Sequence, residues 1–260
     1  MYQSSVASGV SASAESKFIE ASGVLALKGW HESSFIEATN LLRECISLNS
    51  NFAQAPAYLS VLLAFGHRVG MFKNRETAKT EALEMVNNAL ELESHDSSIL
   101  GFCGCALVDA GLADRGLSLL NKALKLNPAN SQALVARGAA RLSKFELNQA
   151  IKDIENGIKL SPFDSRLAVW RAILANAYLI SKDLDLAYSV AMDGCADSHK
   201  NYMPRVILAG IEYKRGNVSE SLVAIREAHS INQGLSDQQV KAFLGNSLGS
   251  KVYDLFNQMS

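Results

Sequence analysis

The sequence predicts an all-α fold, a right-handed α-solenoid of stacked antiparallel helix hairpins closed by a C-terminal capping helix. Three observations carry that expectation. The triplet Leu126-Asn127-Pro128 returns 34 residues later as Leu160-Ser161-Pro162. Small residues recur in step with it: Gly104, Gly138 and Ala175 share one slot, Gly116, Ala150 and Ala187 a second, and Ala123, Gly157 and Gly194 a third. Apolar residues otherwise recur at three- and four-residue steps without strand-like alternation, and only four prolines interrupt them.

A fixed period of this length marks an array of helix pairs, each burying its apolar stripe against the next. The clearest pair is 97–130. Its first helix carries Ile99, Leu100, Cys103 and Leu107, the break falls at 110–114, and the second helix carries Leu117, Leu120, Ala123 and Leu124. Pro128 ends it, because proline cannot continue a helix. The pair 131–164 repeats this plan. After a three-residue insertion at 165–167 come 168–201 and then 202–233, whose turn residue is Gly216. Upstream, 19–51 ends in Ser47-Leu48-Asn49-Ser50, which parallels the Leu-Asn-Pro ending. An irregular pair joins a first helix near 53–66 to a second at 82–92, with a long protruding loop or extended helices expected over 67–80. The array of about six hairpins spans 15–233. Residues 234–260 lack the repeat but carry Val240, Phe243, Leu244, Leu248, Val252 and Phe256, the pattern of amphipathic helices capping the last open face.

Composition limits the functions available. With 48% hydrophobic and 20% charged residues the chain can build a continuous core, and its formal charge of −1 supplies no global field for nucleic acid. No stretch reads as a signal peptide or membrane span, so a cytoplasmic location is the expectation. Residues 1–14 are rich in Ser and Ala, the mixture of a flexible segment or linker, which makes the chain read as one end of something longer. Cys45, Cys103, Cys105 and Cys195 are expected as small buried hydrophobes.

In such an array the small slots are committed to packing, while the first helix of each pair lines the concave wall. The inward candidates are Cys105, Val108 and Asp109, then Val135, Ala139 and Leu142, then Ala172, Asn176 and Ile180, and finally Val206, Tyr213 and Lys214, with Gly101 and Gly210 beside them. This wall is mostly small and apolar, which suits a peptide or partner helix. Arg137 and Arg141, one turn apart, and Arg171 at a similar level are candidate contacts for an acidic peptide or phosphate, unless carboxylates such as Asp153, Glu155 or Asp164 neutralise them. The cluster His67, Arg68, Lys73, Arg75 and Lys79 reads as a solvated loop. The five histidines show no metal-ligand spacing and no phosphate-binding glycine loop occurs, so neither catalytic residues nor a cofactor are expected.

The 34-residue period, the Leu-Asn-Pro and Leu-Ser-Pro-Phe-Asp endings and the small-residue slots resemble the tetratricopeptide repeat (TPR). With the irregular second hairpin and the non-repeat tail, residues 15–250 look like the C-terminal TPR region of bacterial signalling proteins, where it follows a winged-helix DNA-binding domain or a class III nucleotide cyclase domain. The resemblance implies a non-catalytic scaffold or regulatory module with a protein or peptide partner. The alternative is an α-helical enzyme or small-ligand domain, which would show a closed pocket of converging titratable groups.

Overall fold

Most hairpins of the array turn at a residue held in the left-handed region, and these turns set where each helix pair closes. The computed structural model describes the backbone of residues 2–258 and the side chains of 13–257. Among the described residues there are fourteen helices and no strand. They are α1 (Tyr2–Lys28), α2 (Glu32–Leu48), α3 (Gln54–Val69), α4 (Arg75–Leu92), α5 (Ser97–Asp109), α6 (Ala113–Leu126), α7 (Ser131–Ser143), α8 (Leu147–Leu160), α9 (Leu167–Ile180), α10 (Leu184–Asp197), α11 (Met203–Arg215), α12 (Val218–Ile231), α13 (Asp237–Leu244) and α14 (Asn246–Gln258).

The chain divides into two compact units, Met1–Arg137 and Gly138–Ser260, the division falling inside α7. Within the first, α1 pairs with α2, α3 with α4 and α5 with α6, and α5 packs against both helices of the preceding pair. Within the second, α9 pairs with α10, α11 with α12 and α13 with α14, and α11 packs on both α9 and α10. This is the packing of stacked hairpins.

One device closes most of these hairpins. Gly70, Gly111, Phe145, Lys182 and Gly216 all take positive φ, between 59° and 85°. The residue after each donates its backbone N–H to the carbonyl five residues before it: Met71 to Gly66, Leu112 to Leu107, Glu146 to Arg141, Asp183 to Tyr178 and Asn217 to Glu212. This is the Schellman cap, whose left-handed position favours glycine. At the far ends, Asn127 donates its N–H to Ala123 O and α6 stops one residue before Asn127-Pro128, so the repeated Leu-Asn-Pro and Leu-Ser-Pro triplets mark where second helices end. Asn130 then ties the next pair on, its amide donating to Ser97 O and its Oδ1 accepting from Ala133 N.

The small slots are close helix approaches. A Cβ at Gly104 would lie 2.7 Å from Leu120 Cγ and 3.1 Å from Gly116 O, and one at Gly138 would collide with Ile154 and lie 2.9 Å from Ala150 O. Leu100, Leu120, Ala123, Leu124, Ala133 and Leu134 form a continuous buried cluster in the first unit.

Two expectations change and one alternative is decided. Of the long loop and the extended helices expected over 67–80, the helices form: α3 runs to Val69 and α4 starts at Arg75, leaving only 70–74 as the turn. Gly66 permits this, because the Phe72 ring occupies the space its side chain would need. His67 and Arg75 bind each other's backbone across the turn, at 2.9 and 2.8 Å. At the N-terminus, α1 begins at Tyr2, so the stretch expected to be flexible continues a helix; Ala14 is buried and its carbonyl accepts from Cys45 Sγ at 3.1 Å. Of the four cysteines, Cys45 and Cys103 are buried, whereas Cys105 and Cys195 are only partly covered.

Candidate interaction surface

The expected first-helix wall is unevenly available, because several of its residues sit one step too deep in the packing. Val135 is 2% exposed, Ala172 4% and Val206 0%, so all three belong to the core and leave the candidate surface. Each lies within a turn of a small slot, where neighbouring helices come close enough to cover a β-branched or methyl side chain. In the first unit, Cys105, Val108 and Asp109 remain half-buried. In the second, Ala139, Leu142, Asn176 and Tyr213 are half-buried, Lys214 is exposed and Ile180 is 38% exposed.

Asp109 is held by its neighbour. Arg68 Nε donates to Asp109 Oδ1 at 2.7 Å from α3, and the same guanidinium lies 5.0 Å from the centre of the Phe65 ring. Thus Arg68, expected in a solvated loop, braces two successive first helices.

Each of the three arginines is engaged by neighbours of its own unit. Arg141 Nη1 donates to Asp153 Oδ2 at 2.6 Å, and its Nε lies 3.8 Å from Glu146. Arg171 pairs with Asp193 at 2.6 Å and Asp197 at 2.8 Å. Arg137 donates to Asn121 Oδ1 at 3.2 Å. Arg141 and Arg171 are thus each neutralised by carboxylates on the second helix of their own hairpin, a charge-assisted pairing that leaves little attraction for a phosphate.

Titration behaviour follows local burial. Burial and the hydrogen bond its hydroxyl donates to Glu155 at 2.6 Å push Tyr178 up to about 12. Burial pushes the Cys103 thiol up to about 12 and raises Cys195 as well. Burial alone would raise Asp164, but the hydrogen bonds from Arg166 outweigh it and hold the carboxyl below its ordinary value. Tyr178 and Cys195 lie on the two helices of one hairpin, α9 and α10, Asp164 precedes α9, and Cys103 lies on α5. Among the described residues, no cluster of His, Cys, Asp and Glu has the arrangement of a metal site.

A cavity of about 270 Å³ between α2 and α4 escaped the sequence reading. Ile36, Leu63 and Phe72 line its apolar part and Arg43, Asn74 and Glu81 its polar part. Its polar groups are satisfied internally: Arg43 binds Glu81 in a fork at 2.7 and 2.8 Å, and Asn74 caps α4 by accepting from Thr77 N. Phe72, Lys73 and Asn74 of the 70–74 turn form part of its wall, which no periodicity announces.

Stacked hairpins, glycine-type caps at a 34-residue repeat and close small-residue slots together define one architecture. The fold is that of the tetratricopeptide-repeat proteins. Solved TPR structures match it at low sequence identity. PilF of Pseudomonas aeruginosa superposes with a TM-score of 0.54 at 15% identity, over 89% of this chain and 96% of that one. A thermophilic TPR protein of Thermus thermophilus gives 0.59 at 18%, over 73% and 96%. The anaphase-promoting-complex hetero-tetramer Cut9–Hcn1 gives 0.63 at 14%, over 97% of this chain and 47% of that one. No family model and no curated protein sequence matches the chain. Among the described residues, no helix is long and apolar enough to cross a membrane.

The hairpin caps also expose a local cost. Phe145 occupies a glycine-favoured position at φ 59° with its side chain 78% exposed. An L-residue there costs roughly 1–2 kcal/mol relative to a right-handed conformation, and an exposed ring recovers little by burial. Phe145→Gly is therefore expected to raise stability by about 1 kcal/mol, read as a higher urea midpoint at unchanged m-value.

Proposed function

We propose that the chain is a non-catalytic scaffold that binds a peptide or partner helix along the first-helix faces of its hairpins. The observation that carries this reading is the strip beside the packing slots: Leu142, Asn176 and Ile180 stay partly open next to Gly138 and Ala175, which are closed. Apolar groups held open on rigid helices supply contact area at little ordering cost, which is what helix-in-groove recognition uses. A protein partner also fits the solved relative that sits in a hetero-tetramer. The resemblance of the repeat endings to bacterial regulators further supports a sensory or docking role that serves an effector domain, in signalling or transcription control.

The test is affinity capture from the source cell with the full chain and with Leu142→Glu and Ile180→Glu, the captured proteins being identified by mass spectrometry. A charge on a desolvated contact should weaken a specific partner by roughly tenfold or more. Partners kept equally by both variants would sink the reading.

A further inference from the structure

The C-terminal hairpin departs from the array in where it lies. Two first helices, α5 and α11, pack on both helices of the pair before them, α3 with α4 and α9 with α10. By contrast, α13 takes its contacts from α11, while α14 reaches α12 and α11. The face of α11 that α13 covers carries Val206 and Gly210, two of the positions expected on the binding wall. A Cβ at Gly210 would lie 2.5 Å from Leu244 Cδ2, so the leucine fills the slot the glycine leaves. Phe243 sets its edge against the buried Tyr202 ring, centroids 6.0 Å apart at 75°. Val240 of the same helix is fully buried.

Three features of this contact bear on its role. First, α13 is eight residues long, too short to hold a helix alone, so it is helical because α11 and α14 organise it. Second, its fixed end is the N-terminal one. The Ser236–Gln239 capping box and the Asn232–Gln239 hydrogen bond at 3.2 Å anchor it there. The Phe243–Leu244 end is only half-buried and closes on Gly245 at φ 75°. Third, the occupied face continues, within the same unit, the first-helix wall of α9, on which α11 packs.

We propose that this face of α11 is a docking site for an amphipathic helix bearing an adjacent Phe-Leu pair, and that the chain's own α13 fills it in cis. The proposal rests on the scaffold reading and names its site and partner class. A competing helix must displace a tethered one, so its apparent affinity falls by the fraction of time α13 is lifted. Occupancy of the site is thereby coupled to the position of α13–α14.

The probe is a fluorescein-labelled peptide of residues 234–258, titrated by anisotropy against the full chain and against the Phe243→Ala/Leu244→Asp variant. The variant should bind at least tenfold more tightly than the wild type, and adding Gly210→Leu should abolish the gain. Equal binding by both, or none by a variant whose far-UV circular dichroism matches the wild type, overturns the proposal. Either outcome leaves the Leu142 and Ile180 capture experiment standing as a separate test of the scaffold. Hydrogen exchange on the wild type decides the matter if the variant unfolds. Residues 236–258 should open faster than α11, and protection equal to that of α11 would place α13 in the cooperative core and overturn the proposal.

Discussion

Replacing Phe35 by alanine is expected to lower stability by about 3–5 kcal/mol, the range for deleting a buried aromatic ring. Phe35 is fully buried and joins three segments of the first unit. It stacks on Phe65 of α3 at 5.7 Å and 13°, and meets Trp30 edge-on at 5.7 Å and Phe72 at 6.4 Å. Trp30 in turn lies 5.7 Å from Phe65. Removing the central ring takes away burial, leaves a void bounded by rigid neighbours and frees the 70–74 turn that Phe72 pins. The exposed Phe163 supplies the control, since Phe163→Ala should change stability by no more than about 0.5 kcal/mol. Urea unfolding followed by Trp30 fluorescence in a Trp170→Phe background measures both. Because repeat arrays are stabilised by nearest neighbours, hydrogen exchange should show protection lost first in α1–α4. A loss below about 1 kcal/mol for Phe35→Ala would mean that the cluster is not the keystone of this unit.

The contrast between Phe35 and the small slots shows what could be read from the chain alone. Gly104, Gly138 and Leu120 lie in register with a period, so both their places and their packing roles were legible. The aromatic cluster draws on a turn, two helices and a second turn that share no period, so nothing in the chain brings Trp30, Phe35, Phe65 and Phe72 together until the fold is known. The same distinction governs the candidate surface. Periodicity identifies which helix face looks away from the hairpin's own partner, and it placed Leu142, Asn176 and Ile180 on open ground. It cannot say how closely the next element approaches, so it also placed Val135, Ala172 and Val206 there, where packing closes over them. Gly210 shows the limit most clearly. Its open slot is a property of α11, but the leucine that fills it, Leu244, comes from a segment outside the repeat. The arginines were legible as a pair of alternatives, and only geometry could choose between them.

That choice yields the second large effect. Arg141→Met is expected to destabilise the chain by about 3 kcal/mol, because it takes from the buried Asp153 carboxylate a charged contact at 2.6 Å. The cost comes from the charge left behind in a poorly solvated place between α7 and α8, next to Ile154 and Gly157. The double variant Arg141→Met/Asp153→Leu removes that charge together with its partner and should recover most of the loss, since a buried ion pair often breaks even against apolar residues of similar volume. A double-mutant cycle in urea measures the coupling. The same proteins separate the two roles considered for Arg141. A structural arginine predicts that inorganic phosphate at millimolar concentration leaves the melting temperature of the wild type and the double variant equally unmoved. An anion-binding arginine predicts a phosphate-dependent stabilisation of the wild type alone, following the usual linkage between ligand concentration and folding. The close approach of Asp153, which neutralises the guanidinium before any ligand arrives, favours the first result.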